Sequence, residues 1–137
     1  MNYNYKVKFT TNKQLSGLLP AITSALKSSN HLNNEQVLNL KCAIYEAINN
    51  VEIHAYPDKE DKPIEIELVF RNNDVRVTVS DKGIGIKNIE KASEPMFTTF
   101  PSMYAGMGIS IMKCYADKVN IKSTVGKGTK VTIIQKI

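Results

Sequence analysis

Glu46-Ala47-Ile48-Asn49-Asn50 sits in the middle of a helical pattern that runs from about Asn34 to about Tyr56. Residues four apart on a helix share a face, so Glu46 and Asn50 project the same way, one turn above the other. Val37, Leu40, Ile44, Ala47, Ile48 and Val51 form a core stripe, and Cys42, Glu46, Asn49, Asn50 and Ile53 form a neighbouring one. Such a helix is apolar over more than half its circumference, so it is expected to be buried on one side and to border a cavity on the other. Taken alone, Glu46 and Asn50 are no more than a polar helix face, because most charged helical residues are simply solvated. His54, one turn further, reads as a structural hydrogen-bonding histidine.

The helix is delimited on both sides. Asn33 is placed to cap it, with Gln36 three residues on completing a capping box. Tyr56-Pro57-Asp58 ends it, because proline disfavours helical conformation in the residue before it. Upstream, Thr11-Asn12-Lys13-Gln14 fits a second capping box leading into Leu15, Leu18, Leu19, Ile22, Ala25 and Leu26 at helical intervals. Pro20 implies either a kink in that helix or a start near Ser16, where a first-turn proline costs little. Before it, residues Tyr5 to Thr10 alternate with period two, the pattern of a half-buried strand.

Downstream the period changes. Ile64, Ile66, Leu68 and Phe70 alternate with Glu65, Glu67 and Val69; Arg71-Asn72-Asn73-Asp74 makes a tight turn; and Val75, Val77 and Val79 alternate with Arg76, Thr78 and Ser80. This predicts two antiparallel strands. After Asp81 the chain loses periodicity for about two dozen residues, a loop length that in a compact domain usually means function or disorder. Gly106-Met107-Gly108 then opens a short helix through Ile109, Ile111, Met112 and Tyr115. A last hairpin, Val119 to Thr124 and Thr129 to Ile137, closes around Val125-Gly126-Lys127-Gly128. The order strand, helix, helix, two strands, loop, helix, two strands predicts an α/β (α+β) two-layer sandwich. Its sheet should be mixed and mainly antiparallel, with the helices on one face.

Composition sets the outer bounds. The 137 residues are 42% hydrophobic and 23% charged, ordinary for one soluble globular domain spanning 1–137. No apolar run approaches a membrane span and Met1-Asn2-Tyr3-Asn4-Tyr5 lacks the regions of a signal peptide, so a cytoplasmic protein without membrane contact is expected. The net charge of +5 comes from scattered lysines, with no basic run of five, which argues against direct nucleic-acid binding. Cys42 and Cys114 lack metal-ligand spacing and read as buried free thiols.

Two glycine-bearing stretches add chemistry. Asp81-Lys82-Gly83-Ile84-Gly85 follows a strand directly; it fits an ordinary turn, and equally a carboxylate at a strand end beside backbone that a ligand approaches closely. Gly106-Met107-Gly108 heads a helix whose free amides suit phosphate, or serves as a hinge. Neither decides alone. The ordered set of Glu46 and Asn50 on a helix, Asp81, Gly83 and Gly85 after a strand, Gly106 and Gly108 before a helix, and Gly128-Thr129 before the last strand is more specific. It resembles the ATP-binding fold shared by gyrase, the heat-shock ninety chaperone, histidine kinases and the mismatch-repair ATPases. Within that superfamily, three stretches are similar to the stand-alone anti-sigma factor serine kinases of the sporulation type. These are Tyr45-Glu46-Ala47-Ile48-Asn49-Asn50 with Ile53-His54-Ala55-Tyr56, then Glu94-Pro95-Met96-Phe97-Thr98-Thr99, then Gly106-Met107-Gly108-Ile109-Ser110-Ile111-Met112.

The resemblance covers nearly the whole chain and implies a role at each position. Asn50 would hold the Mg²⁺ that bridges the ATP phosphates, and Glu46 would take the proton from an attacking serine hydroxyl. Asp81, supported by Thr129, would recognise adenine. Gly83 and Gly85 would lie along the nucleotide, and Gly106, Met107 and Gly108 would bring helix-start amides to the phosphates. Thr98 and Thr99 would bind the nucleotide from a movable lid over residues 87–105. The implied partners are a sigma factor and a small anti-anti-sigma protein phosphorylated on serine, with a homodimer as the implied assembly. Met103-Tyr104-Ala105 stands where the branch commonly carries an arginine. This keeps a second reading open: a nucleotide-dependent binding switch that transfers little or no phosphate.

Overall fold

The computed structural model describes residues 5–11, 15–56, 63–94 and 108–137. Within them five strands, β1 (Tyr5–Thr11), β2 (Ile64–Phe70), β3 (Asp74–Asp81), β4 (Lys118–Thr124) and β5 (Gly128–Lys136), form one sheet in the order β1-β2-β3-β5-β4. All four seams are antiparallel, so the sheet is antiparallel throughout rather than mixed. Each neighbouring pair in this order is reached by a hairpin or by a crossover that reverses direction, which leaves no parallel pair to form.

Period-two burial makes the two faces of the sheet different. On β2, Ile64, Ile66, Leu68 and Phe70 are fully buried, and on β3 Val75, Val77 and Val79 are buried beside them. The opposite face carries Glu65 and Glu67, which meet Lys8 at 3.1 Å and Lys6 at 3.5 Å across the β1 seam. These are diagonal cross-strand pairs at a solvated surface, worth little each but correct for this register.

Among the described residues four helices, α1 (Leu19–Ser28), α2 (Asn34–Asn50), the single-turn α3 (Ile89–Ala92) and α4 (Gly108–Tyr115), accompany the sheet. Ile22 and Leu26 of α1, Leu40, Ala43, Ile44 and Ile48 of α2, and Met112 of α4 are fully buried in one cluster with the inner sheet face. Pro20 falls in the first turn of α1, after a 3₁₀ turn over Leu15–Leu18. The chain thus takes the cheaper of the two options that proline allows.

The capping box at the head of α2 is closed in both directions. Gln36 N–H donates to Asn33 Oδ1 at 2.8 Å, and Asn33 N–H donates to Gln36 Oε1 at 2.9 Å. At its other end α2 passes into a π-helical turn over Val51–Ala55, a local widening that often accompanies functional sites. Cys42 is half-buried while Cys114 is exposed, so the second thiol is not a core residue: it lies on the outer side of α4. The capping box expected at Thr11 to Gln14 falls mostly outside the described residues. Among the described residues no helix is long and apolar enough to cross a membrane.

Candidate functional site

A cavity of about 860 Å³ opens beside the second stripe of α2, where Glu46, Asn49, Asn50, Ile53 and His54 line one wall. Its size falls in the range of small-molecule sites. Cys42, the first member of that stripe, is not part of the lining. The opposite wall is built by Val79 and Asp81 at the end of β3, residues 84–88 and Lys91 after it, Gly108, Ile109, Ile111 and Met112 of α4, and Thr129 and Val131 of β5.

Backbone contact, rather than side-chain choice alone, fixes the Asp81 to Gly85 segment. A methyl group on Gly83 would lie 2.1 Å from the carbonyl oxygen of Ala55, and Ile84 N–H donates to that same oxygen at 2.9 Å. Only glycine allows the strand exit to press against the π-helical turn in this way. Gly85 has φ +76° and lies against Thr124, while Gly126 N–H donates to Ile84 O at 2.8 Å. The segment is therefore held between the end of the α2 region and the β4–β5 hairpin.

Asp81 is oriented by two amides: Gly83 N–H at 2.9 Å and Thr129 N–H at 3.3 Å both donate to Oδ1. This leaves Oδ2 as the atom to meet a ligand. Burial raises its pKa above the ordinary carboxylate value, and the two amides act in the opposite sense. The Thr129 hydroxyl lies 2.8 Å from that of Ser123. Tyr56, buried just past the π-helical turn, donates from its hydroxyl to Pro63 O at 2.7 Å and accepts from Lys82 N–H at 2.6 Å. It ties the residue after Asp81 to the start of β2.

The other part of the cavity is where α2 meets the head of α4. A methyl group on Gly108 would lie 3.0 Å from Asn50 Oδ1 and 3.4 Å from Glu46 Oε2. Glu46 and Asn50 therefore converge on the first amides of α4, which have no partner within their own helix and favour negative charge. Burial alone raises the pKa of Glu46, and burial lowers that of His54. Ala55, where the Asp81 segment touches, lies five residues beyond Asn50, or about 7 Å along the helix axis. The cavity thus has a carboxylate at one end and helix-start amides at the other.

Of the sequence-derived site residues, Glu46, Asn50, Asp81, Gly85, Gly108 and Thr129 all line this one cavity. Gly83 is buried behind it against Ala55. Thr98, Thr99, Gly106 and Met107 lie outside the described residues, as does most of the segment 87–105. Several lining residues carry no sequence signal strong enough to find them. Ile84 is half exposed at the cavity wall, Lys87 and Asn88 come just before α3, and Lys91 enters through α3 itself, a single turn too short for periodicity.

A family model described as a histidine kinase-like ATPase domain matches residues 10–135. The chain belongs to the histidine kinase-like ATPase family. Its curated relatives include the anti-sigma F factor of Clostridium perfringens (strain SM101), 31% identical over 138 residues that span 100% of this chain and 99% of that protein. The anti-sigma F factor of Caldanaerobacter subterraneus is 34% identical over 140 residues, spanning 100% and 97%. That of Clostridium beijerinckii is 39% identical over 103 residues, 74% of this chain and 72% of the relative. Within the histidine kinase-like ATPases the chain thus groups with proteins named anti-sigma F factor. A crystal structure of RsbU and RsbW domains from Mycobacterium tuberculosis superposes with a TM-score of 0.64 at 14% identity, covering 96% of this chain and 32% of the other. That likeness speaks for the fold. Family membership carries ATP binding with it.

Proposed function

We propose that the chain is a cytoplasmic, single-domain, ATP-dependent anti-sigma factor that sequesters an RNA polymerase sigma factor as a homodimer. It transfers the γ-phosphoryl group of ATP to a serine of a small anti-anti-sigma protein. The observation that carries the reading is the convergence of Glu46 and Asn50 on Gly108, in a cavity that also presents the amide-oriented carboxylate of Asp81. The names of the full-length relatives support the sigma-factor partner.

The donor set fits the metal that such chemistry uses. Asn50 Oδ1 and Glu46 Oε2 are hard oxygen donors gathered at one point. That is what Mg²⁺ asks for, since it takes few protein ligands and completes its shell with phosphate oxygens and water. Asn50 would hold it, and once bound it would neutralise charge on the phosphate chain. The rest falls to the chain's own residues. Asp81 Oδ2 accepts from the adenine amino group, and Ile84 covers the base. The α4 amides receive phosphate oxygens. Glu46 takes the proton of the serine hydroxyl as its oxygen bonds to the γ-phosphorus and the bond to the bridging oxygen of ADP breaks. Catalysis of this kind is mainly positioning and electrostatics.

Incubation with labelled ATP, Mg²⁺ and a purified anti-anti-sigma protein tests the reading. Phosphoserine should form, and Glu46→Gln should abolish it while ATP still binds. ATP-dependent sigma-factor binding with no phosphoserine after long incubation would favour the binding-switch reading, which the sequence Met103-Tyr104-Ala105 leaves open.

A further inference from the structure

We propose that Lys91 is the side chain that supplies positive charge to the phosphate chain of the bound nucleotide, brought by the short helix α3 to the head of α4. This rests on the reading of the cavity as an ATP site. The first argument is charge balance. A triphosphate brings several negative charges into a cavity already lined by the carboxylates of Glu46 and Asp81. Among the described residues, the lysine and arginine side chains on its wall are Lys87 and Lys91. The whole stretch from Ala92 to Met112 contains no lysine or arginine, so the segment that follows α3 in sequence supplies no alternative.

Position separates the two lysines. Lys87 follows Ile86, whose N–H donates to Ser123 Oγ at 2.7 Å, and Ser123 in turn meets the Thr129 hydroxyl. Lys87 is therefore anchored beside the Asp81 end of the cavity. Lys91 lies a turn further on. Its N–H is capped by Asn88 Oδ1 at 3.0 Å, and two residues later the carbonyl of Ser93 accepts from Ser110 Oγ at 3.4 Å. Ser110 is in the first turn of α4, next to the Gly108 that touches Asn50 and Glu46. The docking of α3 on α4 thus carries Lys91 to the phosphate end, where a flexible ammonium group can reach an oxygen without a fixed bidentate geometry. Lysine contacts to phosphate are charge-assisted and stronger than neutral hydrogen bonds.

Equilibrium binding of ATP and of adenosine to the full chain tests the proposal. Lys91→Ala should weaken ATP on the order of tenfold, leave adenosine unchanged and leave the thermal midpoint in place, and Lys91→Arg should restore most of the ATP affinity. Lys87→Ala should cost distinctly less. Unchanged ATP affinity in Lys91→Ala, an equal loss for adenosine, or a larger loss in Lys87→Ala would overturn the assignment. Failure of the unaltered chain to bind ATP at all would instead overturn the reading of the cavity, and the assignment with it.

Discussion

Gly108 at the head of α4 and Asn50 on α2 are packed so closely that a single added methyl group would lie 3.0 Å from Asn50 Oδ1. The glycine is needed here for space. Its absent side chain leaves room for the oxygens of Asn50 and Glu46 to stand over the helix-start amides.

Gly108→Ala should therefore displace Asn50 by a few tenths of an ångström without disturbing the core. We expect Mg-ATP affinity to fall about tenfold, close to the worth of one well-placed hydrogen bond. The thermal midpoint should stay near that of the unaltered chain. Isothermal titration beside a melting curve separates the two, and a large drop in the midpoint would show that the glycine serves the packing of α4 instead.

Glu46 gives a pH-dependent signature. Burial raises its folded-state pKa above the ordinary 4.5 of a glutamate, so the folded protein holds this proton more tightly than the unfolded chain does. The associated stability is fully present below pH 4.5 and is lost as the pH rises through the folded-state value. Glu46→Gln should therefore unfold at a higher temperature than the unaltered chain at neutral pH, with the difference shrinking as the pH falls toward 4.5. If Glu46 is the base, the acid limb of the phosphotransfer rate should lie above the usual glutamate range. Melting curves and rates across pH check both statements on the same samples.

Much of this arrangement was legible in the residues. The four-residue spacing of Glu46 and Asn50, the Asn33 and Gln36 capping box and the alternation from Ile64 to Val79 are local signals, and local signals determine local structure. Long-range contacts leave no such trace. Nothing in the order Asp81-Lys82-Gly83 says that Gly83 presses against Ala55, 28 positions earlier, or that the Tyr56 hydroxyl reaches Lys82 N–H. The seam between β3 and β5, which skips β4 in sequence order, was not specified by periodicity either. It decides that Thr129 N–H meets Asp81. Cys114 misled because α4 is apolar enough to suggest burial on all sides, whereas only Ile109 and Met112 face the core.

Tyr56 links the fold to the site. Its hydroxyl satisfies Lys82 N–H and Pro63 O while its ring is buried. Tyr56→Phe keeps the ring and orphans both backbone groups, which should cost about 1–3 kcal/mol in urea unfolding. Nucleotide affinity should fall as well, because the residue following Asp81 loses its anchor. A stability loss with wholly unchanged ATP binding would show that the hydroxyl secures β2 alone.

Asp81 is expected to act through the direction of its hydrogen bonds. In Asp81→Asn the side-chain oxygen can still accept from Gly83 and Thr129, which leaves the new amide nitrogen pointing at the ligand. A donor then faces the adenine amino donor. Affinity for ATP should drop tenfold or more, by about the 1–3 kcal/mol of an unsatisfied polar group. Stability at neutral pH should hold or rise, because burial disfavours the charged form that the substitution removes. Competition binding with ATP and an analogue lacking the amino group tests this: the analogue should lose much less than ATP does.

The outer face of the sheet supplies a last test, independent of the cavity. On its β1–β2 side, lysines stand diagonally opposite glutamates. On its β4–β5 side, Lys122 is directly opposite Lys130, and both are exposed. Like charges directly opposite across a strand pair are destabilising, and opposite charges there contribute roughly 0.2–1 kcal/mol. Lys122→Glu should therefore stabilise the protein by a few tenths of a kcal/mol to about 1 kcal/mol at low salt, with the gain fading as salt screens the pair. Lys130→Glu should do the same, whereas the double variant restores a like-charged pair and should lose the gain. Urea unfolding of the three variants at two salt concentrations measures the coupling directly. Additive stabilisation in the double variant would mean that each lysine is repelled by the net positive charge of the whole surface rather than by its partner across the strand.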